Sequence, residues 1–371
     1  MRPTIAEIDL QAIRDNLRQV RQLLAPSTYI MAVVKANAYG HGMIKVSKAA
    51  LGAGAHFLGV AFPEEGAELR EAGFDVPIFV LTLALPEQTK IFIDYNLIAT
   101  VCDLENANLL AKLAREKSSE VSIMVKIDTG MGRLGWRVEE AADFIEKIIS
   151  IPGLKLQGIF THLAKAEDKD QTFTHHQVQR LTAVADWAQR IGLVFPFISA
   201  ANSAGIVNMA AGHFNLVRPG IVLYGLPPAS NFEVPFSLQP AMKLKTKVAF
   251  IKEVPAGTPI GYGGTYVTPR KTFVATLPVG YADGYSRHLS NKAEVLIGGK
   301  RRKVIGNVCM DQIMVDVGPA GDVRMGDEVV LFGRQGAEEI TVTELADLAG
   351  TINYELVGAI SSRVPRVYLH E

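Results

Sequence analysis

Short apolar segments alternate with amphipathic segments through the first two thirds of the chain, and this alternation constrains the fold most. The apolar segments are near-continuous and rich in β-branched residues, which is typical of strands that are covered on both faces. They lie at 29–35, 56–61, 77–82, 97–102, 121–127, 156–162, 195–200 and 214–224. Eight strands alternating with helices over roughly 200 residues predict an α/β fold of the (β/α)8 TIM-type barrel class. A doubly wound open sheet is the alternative.

The segments between these strands carry helix signals. Pro63 stands at a suitable first position for a helix over 63–73. Asp103 precedes 104–117 and can cap its first turn, and leucines repeat in that segment at near-helical spacing. Apolar residues repeat in the same way in 175–191. We therefore expect helices over these three ranges.

The pattern changes after about residue 232. Polar and apolar residues alternate with period two over 243–251, and further strand-like segments follow with Gly-rich turns between them. Gly298 and Gly299 separate two matched segments and predict a two-residue hairpin turn. Only 341–350 has a helical pattern. We predict that residues 9–232 form the barrel and that residues 233–371 form a mostly antiparallel β domain.

Composition narrows the classes of function. The 371 residues include 38 Lys and Arg and 38 Asp and Glu, so the formal net charge gives no electrostatic reason to expect nucleic acid or an anionic membrane as a partner. Residues 1–25 lack the apolar core of a secretory signal, and the charge-free segment 191–217 holds polar and helix-breaking residues that suit a bilayer poorly. Cys102 and Cys309 are the only cysteines, so we expect a reducing, cytoplasmic location. No metal site is predicted, because no ligand spacing is recognisable.

Two isolated charges mark a candidate site. Lys35 ends the first predicted strand and is the only Asp, Glu, Lys or Arg between Arg21 and Lys45. Barrel active sites lie at this end of the strands, where a desolvated lysine can be neutral, nucleophilic and able to form a Schiff base. A strand-end lysine that merely reaches solvent is the alternative. Arg218 is the only charged residue in 191–232, so it requires a buried acceptor, either structural or in a ligand.

The loops after the seventh and eighth strands offer an anion site. ANSAG (201–205) can begin a short helix capped by Asn202 or Ser203, which leaves backbone N–H groups free. PGI (219–221) interrupts the apolar segment directly after Arg218. Because phosphate sites recur at these two loops in barrels, the pair predicts a phosphorylated ligand.

The segment GMGRLG (130–135) matches a dinucleotide-binding pattern in its letters only. It follows the fifth strand, and no acidic residue stands about 20 positions further on. We therefore interpret Arg133 as a partner for a carboxylate or phenolate at the barrel mouth. A surface loop arginine is the alternative.

Motifs spread over both domains give the chain a family resemblance. They are AVVKANAYGHG (32–42), KIDTGMGRLG (126–135), ANSAG (201–205), VRPGIVLYG (217–225), GYGGTY (261–266), PVGYADG (278–284), CMDQ (309–312) and INYE (352–355). In this collinear set the chain resembles the pyridoxal-phosphate-dependent alanine racemases. The resemblance implies pyridoxal 5'-phosphate as cofactor, alanine as substrate and a two-base interconversion of L- and D-alanine that supplies peptidoglycan synthesis. It also implies that an N-terminal strand, residues 1–8, joins the β domain, and that the protein is a homodimer with shared active sites.

The resemblance assigns roles to particular residues. Lys35 would bind the cofactor and act as the base on the D-substrate face, and the partner subunit's Tyr262 would be the opposite base. Arg218 would face the pyridine nitrogen, which it leaves unprotonated. Arg133 would approach the phenolic oxygen and the substrate carboxylate, which the backbone at Met310 of the partner subunit would also bind. Phosphate contacts would come from Tyr39, Ser203, Tyr354 and the backbone of Gly220 and Ile221.

Further residues would support these. The resemblance implies that Lys126 can be carbamylated and then hold Arg133, that His162 contacts the catalytic tyrosine, and that Tyr281 lies at the substrate entrance. Ser199 and Asn307 stand where some relatives have a histidine and an arginine, so rate or entrance selectivity could differ here.

Two other classes of function remain open. A broad-specificity amino-acid racemase, or a related decarboxylase of basic amino acids, would keep the cofactor chemistry and change the substrate. A non-catalytic pyridoxal-phosphate carrier would resemble the barrel alone. The β domain with Tyr262 and CMDQ weighs against the carrier.

Overall fold

The structure is a computed structural model that describes residues 2–371. Eight strands in its N-terminal part are parallel, and each pairs with the next barrel strand along the chain, except at the junction of the last two. The last of them pairs with the first, so the sheet curls into a barrel and the open doubly wound sheet is excluded. A ninth, short strand, β7, pairs with β6 alone. The strands in this part of the chain are β1 (Ile5–Asp9), β2 (Tyr29–Val33), β3 (Phe57–Val60), β4 (Ile78–Leu83), β5 (Ile98–Val101), β6 (Val121–Asp128), β7 (Trp136–Arg137), β8 (Leu154–Phe160), β9 (Phe197–Ser199) and β10 (Leu216–Val217).

Helices alternate with these strands along the chain. They are α1 (Leu10–Gln22), α2 (Lys35–Tyr39), α3 (Met43–Gly52), α4 (Pro63–Glu71), α5 (Thr89–Asp94), α6 (Leu104–Glu116), α7 (Ala141–Ile149), α8 (Thr172–Arg190) and α9 (Ser203–Asn208). The predicted helices are confirmed as α4, α6 and α8. Pro63 opens α4, and the Asp103 carboxylate caps α6 by accepting from the Asn106 N–H at 2.6 Å. Among the described residues no helix is both long and apolar enough to cross a membrane.

The C-terminal part forms a second, mostly antiparallel sheet. Its strands are β11 (Met242–Lys247), β12 (Phe250–Val254), β15 (Thr272–Leu277), β16 (Glu294–Ile297), β17 (Lys300–Ile305), β18 (Ile313–Gly318), β19 (Glu328–Gln335), β20 (Glu338–Ile340) and β21 (Arg366–Leu369), with a separate hairpin of β13 (Pro259–Ile260) and β14 (Tyr266–Val267). The N-terminal strand β1 lies in this sheet, antiparallel to β11 and parallel to β21.

The predicted hairpin turn is confirmed between β16 and β17. Ile297 pairs with Lys300, and Gly298 and Gly299 have φ of 60° and 69°, the pattern of a type I′ turn. The expectation of a single helix in this part is wrong. The helix α10 (Val342–Ala349) is followed by α11 (Asn353–Gly358), which is under two turns long and therefore shows no readable period in the sequence.

Seven short 3₁₀ turns lie among these helices and strands in the described residues. They span Pro86–Gln88, Val138–Glu140, Ala210–Gly212, Ile221–Tyr224, Tyr262–Gly264, Tyr281–Asp283 and Arg287–Leu289.

The barrel interior is filled by side chains and is not a pore. Its core comprises Met31, Phe57, Phe79, Ile98, Met124, Phe160 and Leu216. Each large apolar side chain buried here stabilises the fold by about 1.5–3 kcal/mol. Phe160 ends β8, so the top of this core is also the floor of the cavity described next.

Candidate active site

A cavity of about 880 Å³ lies at the carboxyl-terminal end of the barrel strands. Ten of the residues singled out in the sequence line it together, although they come from seven separate segments of the chain. They are Lys35, Tyr39, Lys126, Arg133, His162, Ser203, Arg218, Gly220, Ile221 and Tyr354. The fold thus brings the isolated Lys35 and the isolated Arg218 to one site.

The segment that carries Lys35 has an unusual backbone. α2 is a left-handed turn, because Ala36, Asn37, Ala38 and Tyr39 all have φ between 52° and 54°. Such a conformation costs roughly 1–2 kcal/mol for each residue other than glycine, and strain of this kind concentrates at functional sites. No motif in the sequence signals it.

Neighbouring groups hold this turn in place. The Glu65 carboxylate accepts from the Ala36 N–H at 2.6 Å and from the Ala61 N–H at 2.7 Å. The His41 ring Nδ1 lies 3.1 Å from the carbonyl of Ala38 and 2.9 Å from that of Tyr39. Burial lowers the pKa of His41 to about 4, so the ring is neutral and donates from Nδ1. Glu65 and His41 were not identified from the sequence.

The amine of Lys35 is less basic than a free lysine. Burial is the main cause of its lowered pKa, and the positive charges of Arg133 and Arg218 act in the same direction. The carboxylate of Glu65 opposes them. A larger neutral fraction of this amine than of a free lysine is therefore available as a nucleophile or base.

A cradle of hydroxyl and amide groups lies beside Lys35. Of the two predicted cap residues Asn202 is the one that caps α9, and the Ser203 hydroxyl accepts from the Gly220 N–H at 2.9 Å. A Cβ atom on Gly220 would lie 2.8 Å from the Tyr39 hydroxyl, so only glycine leaves this space open. Burial raises the pKa of Tyr39 to about 12, so its hydroxyl stays protonated and can donate. The centre of the Tyr354 ring lies 6.1 Å from that of the Tyr39 ring, and Tyr354 lines the cavity beside it.

Arg218 is held entirely by neutral acceptors. The residue is 4% exposed, and its guanidinium donates to the Ser199 hydroxyl, to the Thr161 carbonyl at 2.8 Å and to the Ala200 carbonyl at 3.1 Å. Burial lowers its pKa to about 10, which still leaves the group charged at neutral pH. These contacts are the buried acceptors that the isolated charge of Arg218 predicted. Arg218 also lines the cavity.

Lys126 and His162 complete a group of buried cations and potential cations. The Lys126 ammonium lies 4.1 Å from the centre of the Phe160 ring, and Arg218 lies 5.7 Å from the same ring. Burial, followed by the charges of Arg218 and Arg133, holds the pKa of Lys126 well below its usual value. Burial and the same cations lower the pKa of His162. The charges of Arg218 and Arg133 in this cavity favour an anionic ligand. The carbamylation of Lys126 stays a prediction.

A buried polar network supports the loops around His162. The Gln177 amide donates to the Thr129 hydroxyl at 3.2 Å and to the His162 carbonyl at 3.1 Å, and it accepts from the Ala164 N–H at 2.9 Å. The Thr129 and Thr161 hydroxyls are 2.8 Å apart. Sequence reasoning missed Gln177, but a signal was present: it is a polar residue within the apolar stripe of α8.

Three residues expected at the site lie outside this cavity. Tyr262 is 75% exposed, and Tyr281 and Met310 are also exposed on the β domain. The segment 307–310 links them: the Asn307 amide donates to the Tyr262 carbonyl at 2.8 Å, and the Tyr281 N–H donates to the Cys309 carbonyl at 3.0 Å. The three therefore form a second cluster that a single chain does not bring to its own Lys35.

Comparison with known proteins assigns the family. The family model for the alanine racemase N-terminal domain matches residues 8–228, and the model for the alanine racemase C-terminal domain matches residues 241–368. The chain belongs to the alanine racemase family. The family consists of pyridoxal-phosphate-dependent isomerases.

Individual relatives match this chain over almost their whole length. The alanine racemase of Halothermothrix orenii is 48% identical over 99% of this chain and 97% of its own. The crystal structure of alanine racemase from Bacillus anthracis with bound L-Ala-P is 39% identical, with a TM-score of 0.94 over 100% of this chain and 96% of that one. The alanine racemase of Bartonella henselae, solved with covalently bound pyridoxal phosphate, is 30% identical, with a TM-score of 0.89 and full coverage of both chains.

Proposed function

We propose that this protein interconverts L- and D-alanine with pyridoxal 5'-phosphate bound at Lys35, and that each active site is shared between two subunits. The observation that carries the proposal is the convergence in one cavity of an amine with a lowered pKa, a buried guanidinium and a cradle of hydroxyl and amide donors. Membership of the family supports alanine as the substrate.

The residues present fit this cofactor. The hydroxyls of Tyr39 and Ser203 and the backbone at Ile221 offer donors for its phosphate, at a point where a Cβ on Gly220 would fill the space. The Gly220 N–H donates to the Ser203 oxygen, which leaves the Ser203 O–H to donate to the phosphate. Arg218 can donate to the ring nitrogen but cannot readily give up its own proton. When bound, pyridoxal phosphate withdraws electrons from the substrate Cα, which makes the Cα proton removable.

The chain's own residues then have defined tasks. Arg133 binds the substrate carboxylate and orients the Cα–H bond. The Lys35 amine takes or returns the proton on one face of Cα, and the partner subunit's Tyr262 hydroxyl does so on the other. A single base would return the proton to the face that it left, so opposed bases account directly for inversion.

The shared site is supported by the separation of the two clusters. Tyr262, Met310 and Tyr281 project from the β domain and are exposed in one chain, while Lys35 lies in the barrel cavity. A homodimer in which each β domain covers the other barrel would complete both sites and exclude water from them. We further propose that the D-alanine formed is used for peptidoglycan synthesis.

The test is direct measurement of D-alanine formed from L-alanine by the purified holoenzyme, with Lys35→Ala as control. Formation of D-alanine by the wild type and none by the control is expected. Absence of D-alanine would reject the proposal. L-serine and L-lysine are run in parallel. D-serine or D-lysine formed with a comparable kcat/KM would indicate a broad-specificity racemase, and a diamine formed from L-lysine would indicate a decarboxylase.

A further inference from the structure

Arg133 lies on a loop that has little intrinsic rigidity. Three of the six residues 130–135 are glycine. Gly130 and Gly132, which flank Met131, have φ of 139° and 69°. Glycine has the greatest backbone freedom of any residue, so this segment loses much conformational entropy when it becomes ordered.

A single carboxylate fixes the middle of this loop. Asp128 Oδ1 accepts from the N–H groups of Gly130 at 3.0 Å, Met131 at 2.9 Å and Gly132 at 3.1 Å. Its Oδ2 lies 3.1 Å from the Gly132 nitrogen. Hydrogen bonds to an ionised acceptor are about twice as strong as neutral ones, and successive N–H groups make a natural seat for an anion. The next residue after these three amides is Arg133.

The two ends of the loop are fixed by the sheet. β7 runs parallel to β6, with Asp128 opposite Arg137. A Cβ on Gly135 would lie 2.5 Å from the Asp128 nitrogen, so the loop closes directly against its own start. Trp136 stacks on Phe144 with ring centres 4.2 Å apart. The ends are thus held by strand pairing and packing, while the part that precedes Arg133 is held by the carboxylate.

We propose that Asp128 is a positioning residue, which orders the 130–132 amides and thereby aims Arg133 into the cavity, so that it sets the affinity of the site for the substrate carboxylate. This rests on the proposed function, in which Arg133 binds that carboxylate. Asp128 is not assigned a contact with the substrate. Its effect should therefore appear mainly in the binding of carboxylates, with only a small change in kcat through the charge that Arg133 presents to Lys35.

The experiment compares Asp128→Ala and Asp128→Asn with the wild-type holoenzyme. For Asp128→Ala we expect KM for L-alanine to rise about tenfold or more, as the loss of charged hydrogen bonds implies, with kcat changed by less than about threefold. The dissociation constant of propionate, an unreactive carboxylate, should rise by the same factor as KM. Asp128→Asn keeps Oδ1 as an acceptor and loses the charge. Its KM for L-alanine and its dissociation constant for propionate should therefore lie between those of the wild type and Asp128→Ala, each raised about threefold.

Asp316→Ala is the matched control. Asp316 also accepts from a backbone N–H two residues later, that of Gly318 at 2.9 Å, and from the Thr272 hydroxyl, but it lies in the β sheet and does not line the cavity. It should leave KM and propionate binding unchanged. Hydrogen exchange should show faster exchange at 130–132 in Asp128→Ala and not in Asp316→Ala.

Propionate binding needs no turnover, so this test is separable from that of the proposed function. A wild type that binds propionate but makes no D-alanine would reject the racemase proposal and leave the role of Asp128 measurable. If either folded Asp128 variant binds propionate as the wild type does, the positioning role is wrong. A fall in kcat with unchanged KM and unchanged propionate binding would also show that the positioning role of Asp128 is wrong.

Discussion

At the scale of the residue, Lys35 and Lys126 are two amines in the same cavity, and both have lowered pKa values. Their surroundings decide which of them can bind the cofactor. Lys126 is 5% exposed and packs on the Phe160 ring. Lys35 is only partly buried and lies two residues after the end of β2, where barrel enzymes carry catalytic groups.

Borohydride reduction of the holoenzyme should therefore fix a pyridoxyl group on Lys35 and on no other lysine. Peptide mapping locates the label, and Lys126→Met serves as the control because it removes the competing amine. Loss of the label in Lys35→Ala and its retention in Lys126→Met are expected. A label on Lys126 would refute the assignment.

The charges around Lys35 predict opposite effects for two substitutions. The positive charge of Arg133 lowers the pKa of Lys35, so Arg133→Met should raise that pKa. The negative charge of Glu65 raises it, so Glu65→Gln should lower it. Because the neutral amine is the nucleophile, addition of pyridoxal to the apoprotein near pH 8 should slow in Arg133→Met and quicken in Glu65→Gln. The pH dependence of that rate gives the two pKa values, and shifts of equal sign would contradict this account.

At the scale of the element, the barrel has one seam. The strand ladder is continuous from β10 through β2 to β9 but is open between β9 and β10. Side chains bridge the seam: the Ser199 hydroxyl donates to the Leu216 carbonyl at 2.6 Å and accepts from Arg218, and Asn215 Oδ1 accepts from the Ile198 N–H at 2.7 Å. Ser199 thus joins two strands and holds Arg218 at once.

Ser199→Ala should therefore destabilise the protein by about 1–3 kcal/mol, because it leaves a buried guanidinium donor and a carbonyl without their partner. Urea unfolding measures the difference in free energy. Ser47→Ala is the control, since Ser47 is fully buried and its hydroxyl has no hydrogen-bond partner among the described residues. Equal stability of the two variants would show that the seam contacts contribute little.

The elements also show what could be predicted from sequence. Strand and helix positions followed from apolar periodicity, and Asp103 and Gly298–Gly299 were identifiable because their chemistry is local. The left-handed turn at Ala36–Tyr39 was not, since it depends on Glu65 and His41, and α11 was too short for a period to show. Lys35 and Arg218 could be found because each is the only charge in a long apolar stretch. The acceptors of Arg218 could not, because they meet it only after the barrel closes.

At the scale of the whole molecule, the proposed bases lie on different domains. Lys35 follows a barrel strand, whereas Tyr262 lies in a 3₁₀ turn of the β domain and is the most exposed of the predicted site residues outside the cavity. The cavity of one chain contains the cofactor cradle and the candidate carboxylate partner but lacks this tyrosine. If the site is shared, the monomer is inactive, and catalysis requires the dimer.

Subunit complementation tests this claim most directly. Lys35→Ala and Tyr262→Phe are each expected to be inactive, and the two are mixed under conditions that allow subunit exchange. In a heterodimer with shared sites, one site then carries both substitutions and the other carries neither. Random pairing makes about half of the dimers heterodimers, each with one intact site of two, so activity should recover to about one quarter of the wild-type value. If both bases belong to one chain, every site keeps a defect, and no activity returns although subunit exchange has been verified.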